Sequence, residues 1–503
     1  MKAVIIYLDS RSITRRILPM LTQKKIYDLV VVGAGASGFT AAYQAAKNGL
    51  SVVVLEKGRH TGGSGNWVEG IFAINSNMQQ AKNVQLTKED VLNEELEYSH
   101  YEADTNSWNQ YIDRSAEMID WLGDLGVKYV DVRGLGSGNV TWHLMQGNGN
   151  QAIHQALEPK ALEAGAEIVT SVSVQALKQD SDGKITGVVI QSETDHHQEE
   201  IATAAVILAT GGYLNNSELI DNDTNYNVNQ LIPVNSGKNT GDGLQLAWEV
   251  GAQKYRMGMA MLFGGYIKDP TKPAYLYRTS DMNGAVTQQS LLWVNEKGKR
   301  FVNEEVVDNF SHAGNALFTQ NKIYSILDQG TINHLMNSGL YKEMGTYYTE
   351  QKTLEGLQSE IDDALKQNLP FIYKASSIKD LAQQISLPEL ETTVLRYNKL
   401  CRSGQDTDYH KQAKFLVSLE HGPFYAFELG IGAFCTMGGL KIDLDNRVLD
   451  KSGADIKGLY AAGNDAAGIL VGDTYGPNMP GTEGGYAFYS GRHAANAATD
   501  YIK

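Results

Sequence analysis

Cysteine is almost missing from this chain: Cys401 and Cys435 are the two in 503 residues. Two thiols cannot build a disulfide framework, and no CxxC, CxxCH or Cys/His cluster offers a zinc, iron–sulfur or haem site. A protein without a metal centre, in a reducing compartment such as the cytoplasm, is expected. Long apolar runs are missing too, since no window reaches the ~18 uncharged apolar residues of a membrane helix. Basic residues are scarce: 43 Lys and Arg against 58 Asp and Glu leave a formal charge of −15. That surplus repels nucleic acid and anionic membrane, so a small-molecule partner is expected instead. The start, "MKAVIIYLDSRSITRRILPML", carries Arg15-Arg16, but "TQKKIYD" follows where the apolar stretch of an export signal should run. Residues 1–24 therefore read as a peripheral extension.

Hydrophobic residues make up 42% of the chain, charged residues 20%, and glycine is abundant at 51. Together they indicate a folded, enzyme-sized protein of more than one structural unit. The stretch "KKIYDLVVVGAGASGFTAAYQAAKNGLSVVVLEKG" reads as a buried strand, a glycine turn, an Ala-rich helix and a second strand ending in Glu56. In such a βαβ unit Gly33 makes the tight turn and Gly35 lets backbone approach a pyrophosphate. Gly38 lets the helix pack on the strand, and the helix N-terminus offers amide N–H groups to the anion. Glu56 can accept hydrogen bonds from ribose hydroxyls. The motif alone leaves NAD and FAD open. Two later strands, "AAVILATGGY" (204–213) and "DIKGLYAAGNDAAG" (455–468), run into glycine turns, so the cofactor domain is discontinuous, which suits a long flavin nucleotide.

These stretches, with "GGSGNWVEGI" (62–71), "NTGDGLQLA" (239–247), "NEKGKRFVNE" (295–304), "GPFYA" (422–426) and "TMGGLKID" (436–443), carry a resemblance. The chain resembles the FAD-dependent oxidoreductase family of fumarate reductase and succinate dehydrogenase flavoproteins, which also contains 3-ketosteroid dehydrogenases. The resemblance covers residues 25–503. It implies an α/β fold, a Rossmann-like FAD-binding domain (25–247 and 425–503) interrupted by an α+β cap over the substrate (248–424). Within the cap, "SIKDLAQQISLPELETTVLRYNKLCRSGQD" reads as two short amphipathic helices with Leu381, Ile385, Leu390, Val394 and Leu395 apolar. Cys401, at the end of the second, is expected to be a packing residue. The resemblance places FAD contacts at Gly33, Gly35, Ala36, Ser37, Gly38, Glu56, Lys57, Gly63, Ser64, Gly70 and Val174. Further contacts fall at Ala209, Thr210, Gly211, Asp242 and Asn464, and at Gly481, Gly484, Gly485, Tyr486 and Ala487. The histidine that binds FAD covalently in succinate dehydrogenases has no counterpart around Ser64, so non-covalent FAD is expected.

Fumarate enzymes of this family hold a dicarboxylate with arginines and a histidine, because guanidinium pairs bidentately with carboxylate. In this chain the proton-delivering arginine falls at Asp308, the histidine before "TMGG" falls at Cys435, and no arginine occurs from 465 to 491. Fumarate reduction is not expected. In ketosteroid dehydrogenases one tyrosine moves a proton and a second polarises the carbonyl beside a backbone amide. Tyr475 in "GDTYGPNMPGTEGG" matches the second, with Gly481 as amide partner, and Asp308 replaces the first. A carboxyl in a closed apolar pocket has a raised pKa and can serve as acid or base near neutrality. Arg278 is the remaining cationic candidate of the cap; Trp142 and His143 could line the cleft, although a lone histidine is more often structural. Cys435 has no nearby cation in sequence to make a thiolate, and matters as a small residue where histidine is expected.

The resulting reading is an FAD-dependent oxidoreductase acting on a carbon–carbon bond conjugated to a carbonyl, an enone or enoate reductase, with Asp308 exchanging the proton and Tyr475 holding the oxygen. A 3-ketosteroid dehydrogenase and a non-enzymatic flavin subunit with decayed residues are the alternatives. No second GxGxxG unit is present for NAD(P)H, so electrons come from a separate carrier or a transiently bound nicotinamide.

Overall fold

The computed structural model describes residues 4–7, 16–19, 21–136, 138–342 and 352–503. Strand Ile26–Val32 is followed by helix Ala36–Lys47 and strand Val52–Glu56, as the glycine motif requires. Leu29, Val30 and Val31 are fully buried, each stabilising the fold by ~1.5–3 kcal/mol. Parallel strands run Asp455–Ala461, Gln198–Leu208, Ile26–Val32, Val52–Glu56, Glu167–Thr170, with Val30 opposite both Val206 and Val53. Strand Arg447–Leu449 and the antiparallel pair Val172–Gln179 and Ile185–Ser192 complete the eight-stranded sheet. A parallel sheet must be covered on its faces, and the Ala-rich helix Ala36–Lys47 packs with the last helix, Thr482–Ile502, against it. A Cβ on Gly38 would lie 1.9 Å from the carbonyl oxygen of Gly33, so the turn and the helix meet only because that side chain is missing.

Two chain segments far apart in sequence are tied by one buried carboxylate. Asp465 accepts hydrogen bonds from the Thr210 backbone N–H (2.6 Å), the Thr210 hydroxyl (2.8 Å) and the Gly212 N–H (2.8 Å). The "ATGG" and "AAGND" turns are thereby locked side by side, which makes the discontinuous cofactor domain a single body.

The second unit is built on a six-stranded sheet. Its central strand, Phe424–Thr436, pairs antiparallel with Ile323–Asp328, Ile372–Ala375 and Ala260–Ile267, and parallel with Leu231–Pro233. Strand Leu292–Asn295 adds to Ile323–Asp328. The boundary expected between 424 and 425 is therefore displaced: residues 424–436 belong to the cap sheet, because their backbone hydrogen bonds go there, and the chain already enters this sheet at Leu231. The expected cap helices form as Ile378–Gln384 and Leu390–Ser403. Leu381, Leu390 and Val394 are buried and Ile385 half-buried, but Leu395 is 65% exposed, since it points off the apolar stripe. Cys401 is half-buried, and burial pushes its thiol up to about 11, as suits a packing residue. In the N-terminal extension, strands Val4–Tyr7 and Arg16–Pro19 pair antiparallel; the other residues up to 20 lie outside the described residues. No described helix is long and apolar enough to cross a membrane.

The "RFVNE" stretch has a structural task. Arg300 is buried and donates to Glu304 (2.9 and 2.8 Å) and to Asp406 (2.9 Å), while the buried Lys411 lies 3.2 Å from Glu304. The hydrogen bond and charge of Arg300 overcome the opposing effect of burial and hold Asp406 down at about 2. A lowered carboxyl pKa stabilises the folded state above the unfolded value of ~3.9, and that stabilisation is lost as pH falls through the folded value. Asp406→Ala should cost about 3 kcal/mol in urea unfolding at neutral pH, because it leaves a buried guanidinium short of a partner. The difference from wild type should shrink between roughly pH 4 and pH 2.

Candidate active site

One cavity of about 610 Å³ runs from the glycine turn to the cap. At its nucleotide end lie Gly33, Gly35, Ala36 and Ser37, with Glu56 and Lys57 at the rim. Helix Ala36–Lys47 begins at Gly35 with no side-chain cap and no acid in its first turn, so its N–H groups are open to an anion. A Cβ on Gly35 would find no protein atom nearer than the Gly62 oxygen at 3.8 Å, which leaves the space above the turn to a ligand. Glu56 accepts from the N–H groups of Ala34 (3.1 Å) and Gly58 (2.7 Å), fixing its carboxylate at the edge of that space.

The middle of the cavity is walled by Gly63, Ser64, Gly70, Val174, Ala209, Thr210, Gly211 and Asp242. Lys57 pairs with Asp242 at 2.5 Å, and Lys238, which the motif reading passed over, lies 3.3 Å from Glu56. Ser64 donates to the side chain of Asn239 at 2.9 Å. At the far end stand Asn464, Gly481, Gly484 and Ala487, and the Asn464 Oδ1 is buried without a hydrogen-bond partner. Open helix N–H groups at one end, a ribose acid beside them and an unsatisfied amide oxygen at the other fit a dinucleotide such as FAD.

Three expected contacts do not reach the cavity. Gly38 serves the packing of turn on helix, Gly485 lies against Tyr111, and Tyr486 is buried among Tyr111 and Tyr489. All three sit on faces turned inward, because a helix shows only about one residue in three or four to one side.

The proposed chemical residues are also distributed unevenly. Tyr475 is buried on the cavity wall, 2.8 Å from the Thr482 hydroxyl, and burial pushes its phenol well up, so it stays neutral and able to donate. Gly481, at φ +92°, caps the last helix, and its carbonyl accepts from the Phe72 N–H at 2.9 Å. Asp308 lines the cavity but is not in a closed apolar setting: its side chain is 49% exposed and ion-paired with Lys342. The expectation of a closed apolar setting there is corrected, because solvent and the Lys342 side chain surround the carboxyl. Arg278 reaches the cavity, but its guanidinium donates to Glu69 (2.8 Å) and to the Trp67 carbonyl (3.2 Å), clamping cap to cofactor domain rather than waiting for substrate. Trp142 lines the cavity. His143 stands behind it, its ring nitrogens 2.6 Å from the Ser76 hydroxyl and 2.9 Å from the Thr141 carbonyl, and burial lowers it to about 4, a structural histidine.

Cys435 is buried on the wall, where burial pushes its thiol well up, so it is no thiolate. Beside it is a residue that motif reading missed. The carboxyl of Glu483 hydrogen-bonds with Asn464 and Cys435, and burial raises its pKa. Around these groups four aromatic rings follow one another: Phe434 on Phe263 (4.7 Å), Phe263 on Phe310 (6.4 Å), and Phe310 stacked on Tyr475 (6.1 Å). All four line the cavity. The signal for Glu483 was present, an acid just after a helix-starting glycine, but Phe263 and Phe310 come from parts of the cap with no motif.

A model of a family described as FAD binding domain matches residues 28–474. The chain belongs to that family. A vinyl phenol reductase of Lactiplantibacillus plantarum (strain ATCC BAA-793 / NCIMB 8826 / WCFS1) is 53% identical over 483 residues, 96% of this chain and 98% of that one. Among solved structures, a 3-ketosteroid delta1-dehydrogenase from Sterolibacterium denitrificans matches with a TM-score of 0.77 at 20% identity, over 95% of this chain and 100% of that one. A flavocytochrome c3 fumarate reductase matches at 0.73 and 24%, over 94% and 79%. This flavoprotein is thus an FAD-dependent oxidoreductase with the fold that the resemblance implied, and the expected class and cofactor are borne out. With Ser64 where a covalent link would need histidine, FAD should leave the protein on acid precipitation; flavin absorbance in the supernatant checks this, and yellow pellets would contradict it.

Proposed function

We propose that this flavoprotein reduces the carbon–carbon double bond of a small, uncharged aromatic alkene, of the kind for which its vinyl phenol reductase relative is named. The observation that carries the reading is the aromatic wall of Phe263, Phe310, Phe434 and Tyr475, on which a flat ring can stack or pack edge-on, each good pair worth ~0.5–1.5 kcal/mol beyond burial. Among the described residues, four of the five cations lining the cavity are held by acids of the chain, which speaks against a dicarboxylate: Arg278 by Glu69, Lys342 by Asp308, Lys57 by Asp242 and Lys238 by Glu56. The fifth, Lys414, lies over the Phe415 ring at 4.6 Å, and one ammonium cannot hold two carboxylates.

Bound FAD supplies hydride chemistry at such a bond. The chain's own residues orient and dry the substrate: the aromatic rings fix its plane and exclude water, and the neutral phenol of Tyr475 donates a hydrogen bond to a polar substituent. Electrons arrive from a separate reduced carrier or a transient nicotinamide.

Anaerobically reduced holoenzyme, mixed with 4-vinylphenol, fumarate, cinnamate or a steroid enone, is followed by return of the oxidised flavin band. Reoxidation by 4-vinylphenol should outrun that by fumarate by at least about a hundredfold, as the loss of one or two charge-assisted hydrogen bonds dictates. Equal or faster reaction with fumarate would sink the proposal, and a preference for the steroid would favour the ketosteroid alternative.

A further inference from the structure

We infer that Glu483, not Asp308, is the acid that gives a proton to the substrate's double bond. The inference rests on the functional reading above and on the placement of the two carboxyls. A general acid must be reachable by substrate yet shielded from bulk water, so that it holds its proton near neutrality. Asp308 fails on the second count, being half exposed beside an ammonium. Glu483 comes nearer to both: it is less exposed than Asp308 and lines the same cavity as the aromatic rings.

The neighbouring chain builds this setting from three directions. Helix Thr482–Ile502 starts at Gly481, so Glu483 stands in its first turn, one residue after the hydroxyl that meets Tyr475. The central cap strand brings Cys435, next to Phe434, and the turn held by Asp465 brings Asn464. Both lie against the Glu483 carboxyl, where their hydrogen bonding favours its charged form but does not outweigh the upward push of burial. A histidine at 435 would offer an ionisable partner able to draw the acid into a charged pair; the Cys435 thiol, kept neutral by burial, does not. The rings of Phe434, Phe263, Phe310 and Tyr475 line the same cavity, so an aromatic alkene packed against them shares that space with the acid.

In the step assigned to Glu483, its O–H bond breaks, a C–H bond forms on one alkene carbon, and the carboxylate regains a proton from solvent before the next turnover. Reduced FAD, when bound, would supply the hydride for the other carbon, so that alkene plus hydride plus proton balances to the saturated product.

The test uses holoenzyme variants Glu483→Gln and Glu483→Asp, checked for FAD content by absorbance and for folding by thermal melting. With 4-vinylphenol and a chemically reduced viologen dye as donor, Glu483→Gln should lose about a hundredfold or more in kcat while KM and FAD content change little, and Glu483→Asp should recover part of the loss. The infrared difference spectrum between wild type and Glu483→Gln at neutral pH should contain the carbonyl stretch of a protonated carboxylic acid. A Gln variant within about threefold of wild-type kcat overturns the inference, since a general acid contributes far more. Carboxylate bands in place of the acid band overturn it as well. The infrared arm needs no turnover, so it judges Glu483 even if wild type reduces no vinyl aromatic, the result that overturns the functional reading itself.

Discussion

The buried carboxylate of Asp465 is the constraint on which the active site depends. Its oxygens take hydrogen bonds from Thr210 and Gly212, residues that precede it by more than half the chain, with the whole cap sheet between them in sequence. A charge or partial charge in a dry interior is costly unless every lone pair is used, and here the donors are backbone and hydroxyl groups that exist only when the two glycine turns lie together. The same turn presents Asn464 to the cavity, and Gly463, one residue earlier, donates its N–H to Ser490 of the last helix at 2.8 Å. Cofactor floor, substrate wall and C-terminal helix are therefore set by one local arrangement.

The cap is organised by a different device. Strand Phe424–Thr436 has partners on both edges, so its register is over-determined, and a slip of one residue would turn Phe434 and Cys435 to opposite faces. Arg278 and Glu69 then join cap to cofactor domain, with Trp67 and Tyr275 stacked beside them at 6.3 Å. The site is a seam: one wall comes from a parallel sheet with its helices, the other from the centre of an antiparallel sheet. This division suits flavin chemistry, because the cofactor can be held by backbone while the substrate is selected by side chains.

The cavity lining at the nucleotide end was largely legible because it depends on backbone geometry. Gly33, Gly35, Glu56 and the "ATGG" turn announce themselves by local requirements, a positive φ, a missing Cβ or a strand-end acid, that need no knowledge of distant residues. Where the reading overreached, at Gly485 and Tyr486, the motif was right but the helix phase decided which side chains face the ligand. The boundary at 424/425 failed for a related reason: strand Phe424–Thr436 is apolar enough to suit either sheet, and only its hydrogen-bond partners assign it.

By itself, the sequence determined the α/β class, FAD as the cofactor and the two cap helices, all of which follow from residue type and short spacing. Tertiary structure alone decided which carboxyl is the less exposed. Asp308 and Glu483 are chemically near-equivalent acids, and no local pattern separates them. The difference is that Lys342 and solvent surround one, while Asn464 and Cys435 lie against the other in a cavity lined by aromatic rings from distant segments. An acid's protonation state is a property of the medium around it, and in a folded chain that medium is made by residues remote in sequence.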